Sequence, residues 1–192
     1  WRDPELVWDW YAGRYRDVTQ AQPNRTHRLL AGLEEGRAAG DARTFTLVTQ
    51  NVDGLHARAG SRSPLELHGN LTHGRCEECG HLQPLPPPEA LVPPPRCEVC
   101  ASRLRPNVVW FGELLPREVL ERAERAFREA EVALVIGTSS QVYPAAALPE
   151  LTREDGGAVI EINPEETGLS RWADLSLRMS ASEGLERLLA EG

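Results

Sequence analysis

Lysine is absent from the sequence: every one of its 21 basic residues is arginine, and against 29 acidic residues they leave a formal net charge of −8. With the balance acidic and the sequence pI about 5.2, the diffuse attraction on which nucleic-acid binders depend is missing, so no direct nucleic-acid partner is expected. The use of arginine for lysine is a weak signal of a GC-rich or heat-adapted genome and carries little functional weight. Also missing is any apolar run near the roughly 20 residues that cross a bilayer, or a charged-then-apolar leader. The expected setting is soluble and cytoplasmic, with no membrane partner. The sequence starts at Trp1 rather than Met with a helical pattern already under way, which reads as a chain truncated at its N terminus.

Cysteine is absent too, except in one stretch. "RCEECG" supplies Cys76 and Cys79, and "PRCEVCAS" supplies Cys97 and Cys100. Each C-x-x-C pair turns two thiolates toward one point, and this spacing between pairs reads as a zinc site. Two disulfides in a secreted protein, or a redox pair, are the competing readings; the lack of a leader argues against the first. Four thiolates fill a tetrahedral shell and leave no position for water or substrate, so the metal should be structural. The intervening "HLQPLPPPEALVPPP" is too proline-rich for helix or central strand.

A chain of 192 residues can bury one good core with a small satellite. Outside the cysteine segment, strand and helix patterns alternate. "DPELVWDWYAGRYRDV" has Asp3 as an N-cap with Pro4 in the first turn, "THRLLAGLEEGRAAG" reads as a second helix over 26–40, and "PREVLERAERAFREA" as a third. "FTLVTQ", "EVALVIG", "GAVIEIN" and "ADLSLRM" read as strands, the last leading into the helix "SEGLERLL". The pattern predicts an α/β fold with a doubly wound parallel sheet, its ligand crevice beyond the carboxyl ends of the strands. Polar clusters fall there: "TQNVDGLH", "GTSSQ" and "NPE". Taken singly each has a plain reading, a tight turn over Asn51–Gly54, a capped turn at "GTSS", a turn at Asn163–Pro164; three on one edge make a crevice.

In their order around the cysteine pairs, "TQNVDGLHARAG", "LELHGNLTHGRCEECG", "LRPNVVWFGELLP", "VIGTSSQVYPAA" and "EINPE" resemble the sirtuins, NAD-dependent protein lysine deacylases. The likeness spans nearly the whole chain and lacks only the family's first strand and glycine-rich "GAGxSxxSGIPxFR" segment. It implies a Rossmann-like domain formed by residues 1–70 and 106–192, interrupted by a zinc-binding small domain at 71–105. NAD as co-substrate, one structural zinc on the four cysteines, and acylated lysine-containing proteins or peptides as partners are implied with it. So are the roles of residues. Gln50, Asn51, Val52 and Asp53 would line the nicotinamide-ribose pocket, and Gly137, Thr138, Ser139, Asn163, Pro164, Glu165 and Ala181 would hold the rest of the cofactor.

The resemblance casts His68, with Asn51, as catalytic. The acyl oxygen attacks C1′ of the nicotinamide ribose, nicotinamide leaves and an alkylimidate forms; His68 takes a proton from a ribose hydroxyl so that it can attack the imidate carbon, and water completes the reaction, giving free lysine and O-acyl-ADP-ribose. Imidazole is suited to such work near neutral pH; a lone histidine is otherwise usually structural. His56 is expected only to pack or cap. Val109, Phe111 and Gly112, in the strand-like run "VVWFGE", would receive the substrate peptide as an added strand; a buried core strand is the alternative. Tyr11 and Arg14 are three apart on the first helix and match the Y-x-x-R pair with which one sirtuin subgroup holds the free carboxylate of succinyl- or malonyl-lysine, although a solvated helix face would look the same. Other readings of the chain are a domain that binds NAD or ADP-ribose without turnover, one that transfers ADP-ribose to protein, and a zinc-ribbon interaction module.

Overall fold

The computed structural model describes residues 3–38 and 44–191. The first helix, α1 (Pro4–Gln20), starts as its sequence predicts: the Asp3 carboxylate accepts the Leu6 N–H at 3.0 Å, and Pro4 sits in the first turn, where its missing N–H leaves nothing unsatisfied. The second, α2 (Arg25–Ala38), covers the helix read over 26–40, whose last two residues, Ala39 and Gly40, lie outside the described residues.

The predicted strand at "FTLVTQ" is short. Only β1 (Val48–Thr49) is extended and paired, in parallel with β2 (Leu65–Glu66); a short helix, α3 (Leu55–Arg58), lies between them. Next comes an antiparallel sheet of β3 (Gly69–Cys76), β4 (Leu82–Pro84) and β5 (Leu104–Val108), in the order β4-β3-β5. The proline-rich loop thus contributes an edge strand, the one sheet position where proline's missing donor costs little. After α4 (Arg117–Glu129), the strands β6 (Val132–Ile136), β7 (Ala158–Ile162) and β8 (Leu175–Leu177) form a second parallel sheet, with α5 (Leu148–Glu154) between β6 and β7 and α6 (Ala181–Glu191) last.

The fold class is as expected, α/β with parallel strands and helices on both faces. Among the described residues, however, the parallel strands form two separate sheets, β1–β2 and β6–β7–β8. Period-2 alternation distributes the apolar residues of β6 to both sides: Ala133 and Val135 join Val159, Leu169, Phe127 and Trp172, while Leu134 and Ile136 join Ile162, Leu177, Leu185 and Leu30. At Gly184 a Cβ would come within 2.4 Å of Ile162 Cγ2, so glycine is what lets α6 seat directly on β7.

The cysteine-bearing sheet has a different core. Leu71, Leu85, Leu104 and Val108 are buried with Cys76 and Cys97, but the bulk comes from α1, which inserts Trp8 at 0 % exposure and Tyr15. Trp8 Nε1–H donates to the Leu104 carbonyl at 2.8 Å, and the Tyr15 hydroxyl donates to the Pro86 carbonyl at 3.1 Å. Both aromatic side chains therefore bury their rings without stranding a polar atom.

Candidate active site

Strand ends and one glycine assemble the site. Gly69, at φ +82°, follows His68; a Cβ there would lie 2.1 Å from the Asn107 carbonyl oxygen, so only glycine permits β3 to approach β5 this closely. The approach is sealed by Val109 N–H donating to the His68 carbonyl at 2.9 Å. That places His68 at the junction of the cysteine-bearing sheet with the parallel strands.

His68 is half-buried, and its Nδ1 lies 3.1 Å from the backbone carbonyl of Gln50. A carbonyl only accepts, so in the neutral imidazole the bond places the proton on Nδ1 and leaves Nε2 with its lone pair, the form a proton acceptor needs. The Gln50 side chain reaches the other way, Nε2 donating to Thr138 Oγ1 at 3.4 Å. From the next loop, Asn163 Nδ2 donates to the Thr138 carbonyl at 2.8 Å, while its Oδ1 accepts the Glu165 N–H. One hydrogen-bonded line thus joins His68, Gln50, Thr138 and Asn163 across the carboxyl ends of β1, β6 and β7. Gly137, at φ +65°, turns the chain after β6. Amide and hydroxyl groups that both donate and accept are the donor set a ligand rich in ribose hydroxyls requires.

Around this line the remaining residues differ. Asp53 lies just before the Gly54 cap of α3, its Oδ1 accepting the Leu55 N–H at 2.9 Å, and Val52 packs into the cluster of Leu71 and Trp8. Asn51 is exposed, its backbone N–H held by Thr49 Oγ1. Ser139, Pro164 and Glu165 are exposed in their loops, and Ala181 opens α6. His56 packs against His27, the rings tilted by 51° with centroids 4.6 Å apart, and is not part of the line. Sequence patterns gave no sign of Glu161, which is buried near the end of β7. Burial alone would raise its pKa, but hydrogen bonds from Thr167, Ser170, Ser176 and Arg178 outweigh this and hold the carboxylate below the usual range. Arg178 also donates to the Glu165 carbonyl at 3.0 Å, so this buried carboxylate anchors the loop that follows Asn163.

The run "VVWFGE" needs correction: β5 stops at Val108, and Phe111–Gly112 form a turn in which Gly112 has φ +85°. The turn closes because Glu113 N–H donates to the Trp110 carbonyl and Glu113 Oε2 accepts the Trp110 N–H. Val109 is half-buried, and Phe111 and Leu114 are fully exposed, beside a cavity of about 350 Å³ that Gly69, Asn107, Val109 and Glu113 help to line. Across the cluster, Tyr11 of α1 reaches the same segment, its hydroxyl accepting Trp110 Nε1–H at 2.7 Å; Arg14, one turn on, is exposed with its guanidinium 4.2 Å from the ring centroid of Trp10.

The four cysteine sulfurs lie within 4.8 Å of one another, with Cys76–Cys100 at 3.4 Å, Cys79–Cys100 at 3.6 Å and Cys79–Cys97 at 3.7 Å. A tetrahedral zinc with bonds of about 2.3 Å requires sulfurs about 3.8 Å apart, so the set fits one zinc. Backbone N–H groups of Cys79 and Val99 point at the Cys76 and Cys97 sulfurs, as a knuckle around a charged thiolate would have them.

Residues 1–144 match the model of the Sir2 family. An NAD-dependent protein deacylase of Deinococcus radiodurans is 59 % identical over 99 % of this chain and 77 % of its own length, and one from Thermus thermophilus is 56 % identical over 98 % and 73 %. Among solved structures, a Sir2 homologue in complex with NAD superposes with a TM-score of 0.89 at 47 % identity, covering 99 % of this chain and 72 % of that one. A Sir2–p53 peptide–NAD complex superposes at 0.79 with 37 % identity, covering 92 % and 72 %. With the four-sulfur cluster and the crevice at the strand ends, these likenesses carry one conclusion: the chain belongs to the Sir2 family.

Proposed function

We propose that the protein is an NAD-dependent protein lysine deacylase, releasing nicotinamide and O-acyl-ADP-ribose, and that residues 71–105 act as its zinc-held small domain. The observation that carries this reading is the bond from His68 Nδ1 to the Gln50 carbonyl, because it leaves Nε2 as a base within a line of cofactor-suited amides and hydroxyls. NAD, when bound, supplies the ribose carbon that the acyl oxygen attacks. His68 accepts the proton of a ribose hydroxyl at Nε2, Gln50 holds the imidazole in that tautomer, and Asn51 and Asp53 present an amide and a carboxylate to the same end of the crevice. Thr138 and Asn163, tied to each other, serve the adenosine side together with Gly137, Ser139, Pro164, Glu165 and Ala181, while Val109, Phe111 and Gly112 pair with the peptide.

The test is mass spectrometry of acylated peptides incubated with the protein, with and without NAD. NAD-dependent loss of the acyl group with formation of O-acyl-ADP-ribose is expected; ADP-ribose bound without turnover, or transferred to protein, would replace this reading. His68→Ala should lower turnover by about 10²–10⁴-fold, the usual weight of a general base, while ADP-ribose still binds.

The acyl preference follows from Tyr11 and Arg14. A guanidinium and a phenol at one end of the substrate channel suit a carboxylate, so succinyl and malonyl groups are removed at least as well as acetyl. Charge-assisted hydrogen bonds contribute roughly 1.5–3 kcal/mol each, so Arg14→Met should lower desuccinylation about tenfold or more and change deacetylation far less. Equal losses on both would assign Arg14 to the fold.

A further inference from the structure

Trp110 donates its indole N–H to the Tyr11 hydroxyl at 2.7 Å, with the two rings 6.4 Å apart and 29° from parallel. An indole N–H donates and never accepts, whereas a phenol oxygen has one proton to give and lone pairs to receive. In this pair, therefore, Tyr11 is the acceptor, and its own proton is uncommitted to Trp110. Among the described residues no other group bonds to the Tyr11 hydroxyl.

The indole is itself fixed. The Arg105 guanidinium lies 3.8 Å from its ring centroid, and Arg105 is clamped by both oxygens of Glu113 at 2.7 and 2.8 Å. The same carboxylate accepts the backbone N–H of Trp110 at 2.9 Å. A cation on the ring face draws electron density from the indole and makes its N–H a stronger donor. Burial raises the pKa of Tyr11, outweighing the bond from Trp110 and the nearby Arg105 and Arg14, so the phenol keeps its proton at neutral pH.

We propose that Trp110 is a positioning residue for acyl selectivity: it holds the Tyr11 hydroxyl as an acceptor, so that the phenol proton points to the distal carboxylate of a dicarboxylic acyl group. The inference rests on the reading of Tyr11 and Arg14 as the acyl-carboxylate pair. It explains why an indole and not a phenyl ring occupies the position, since stacking alone would be met by either. An acetyl group has no distal oxygen to receive the proton and is indifferent to where it points.

The test is calorimetric titration of the full protein, without NAD, with one peptide carrying succinyl-lysine and the same peptide carrying acetyl-lysine. Trp110→Phe keeps an aromatic ring and removes the N–H. It should weaken the succinyl peptide about three- to tenfold relative to the acetyl peptide, the worth of one hydrogen bond, and should add nothing in a Tyr11→Phe background. Any general loosening of the fold affects both peptides and cancels in the ratio. An unchanged ratio for Trp110→Phe, or an undiminished effect in the Tyr11→Phe background, overturns the proposal. If Arg14→Met and Tyr11→Phe also leave the ratio unchanged, the reading of that pair falls and this one with it; if those two shift the ratio and Trp110→Phe does not, only the role of Trp110 falls.

Discussion

Residues 69–108 and residues 132–177 each carry three strands, but their interiors are built differently. In the first, an antiparallel sheet buries four aliphatic side chains of its own, Leu71, Leu85, Leu104 and Val108, and relies on a four-sulfur cluster and on Trp8 and Tyr15, which α1 inserts into the same buried cluster as Cys76 and Cys97. In the second, a parallel sheet is apolar on both faces and is covered by helices on each. Fixation is therefore concentrated at a few points in one region and distributed over many contacts in the other. The crevice lies where they meet, with Thr138 and Asn163 held by the distributed core and Trp110 and Val109 by the concentrated one; His68 is bonded to both sides through Gln50 and Val109.

The largest expected effect is on the concentrated side. Structural zinc contributes apparent free energies of about 10–16 kcal/mol in small peptides, and that binding energy is also folding energy. Cys97 is 3 % exposed, so Cys97→Ser should abolish zinc binding and open β3, β4 and β5 to amide hydrogen exchange while β6–β8 remain protected. A variant without zinc that kept full protection in β3–β5 would show that the aliphatic residues and Trp8 suffice.

Leu185 is 0 % exposed and seats α6 against Ile162 and Leu177. Leu185→Ala should cost about 2–5 kcal/mol, measured by denaturant unfolding, because it removes buried surface and leaves a cavity. Zinc content should remain at one per chain. Loss of zinc together with this substitution would mean that the two regions unfold as one unit, and the contrast between them would not hold.

How much of this was legible in the sequence depended on the range of the interaction. Local chemistry read correctly: Asp3 and Pro4 started α1, short apolar runs marked β6 and β7, and the two C-x-x-C pairs gave four converging sulfurs. Readings that needed a partner elsewhere went further astray. "FTLVTQ" has strand composition, but only Val48 and Thr49 find a neighbour in β2, and "VVWFGE" stops being a strand after Val108 because Glu113 folds back on Trp110. Glu161, the Trp110–Tyr11 bond and the His27–His56 contact each join positions without a sequence motif between them, so no spacing could announce them. Nor could the separation of the parallel strands into two sheets be read from strand composition, which does not encode who pairs with whom.

The smallest effect concerns acid, where both regions respond and can be told apart. His27, 9 % exposed, packs against His56, whose Nδ1 is buried without a hydrogen-bond partner among the described residues. Burial lowers the pKa of both in the folded protein and outweighs an opposing pull from Asp53 on each; Arg28 adds a smaller lowering for His27, and the neighbouring His27 lowers His56 further. In the unfolded chain these imidazoles titrate near about 6.5. Above that value both states are neutral and the pair leaves stability unchanged. As pH falls below it, the unfolded chain takes up protons that the folded one resists, so stability declines until the lowered folded pKa is passed and then levels off. Thiolates of the zinc cluster also take up protons in acid and release metal, so melting temperature and zinc content must be followed together. His56→Phe preserves a flat ring and cannot titrate. From about pH 7 down to about pH 5.5 it should lose less melting temperature than the wild type while its zinc content follows the wild-type curve. If the two proteins decline in parallel, the acid sensitivity belongs to the sulfur cluster, and the parallel-sheet side contributes none of it.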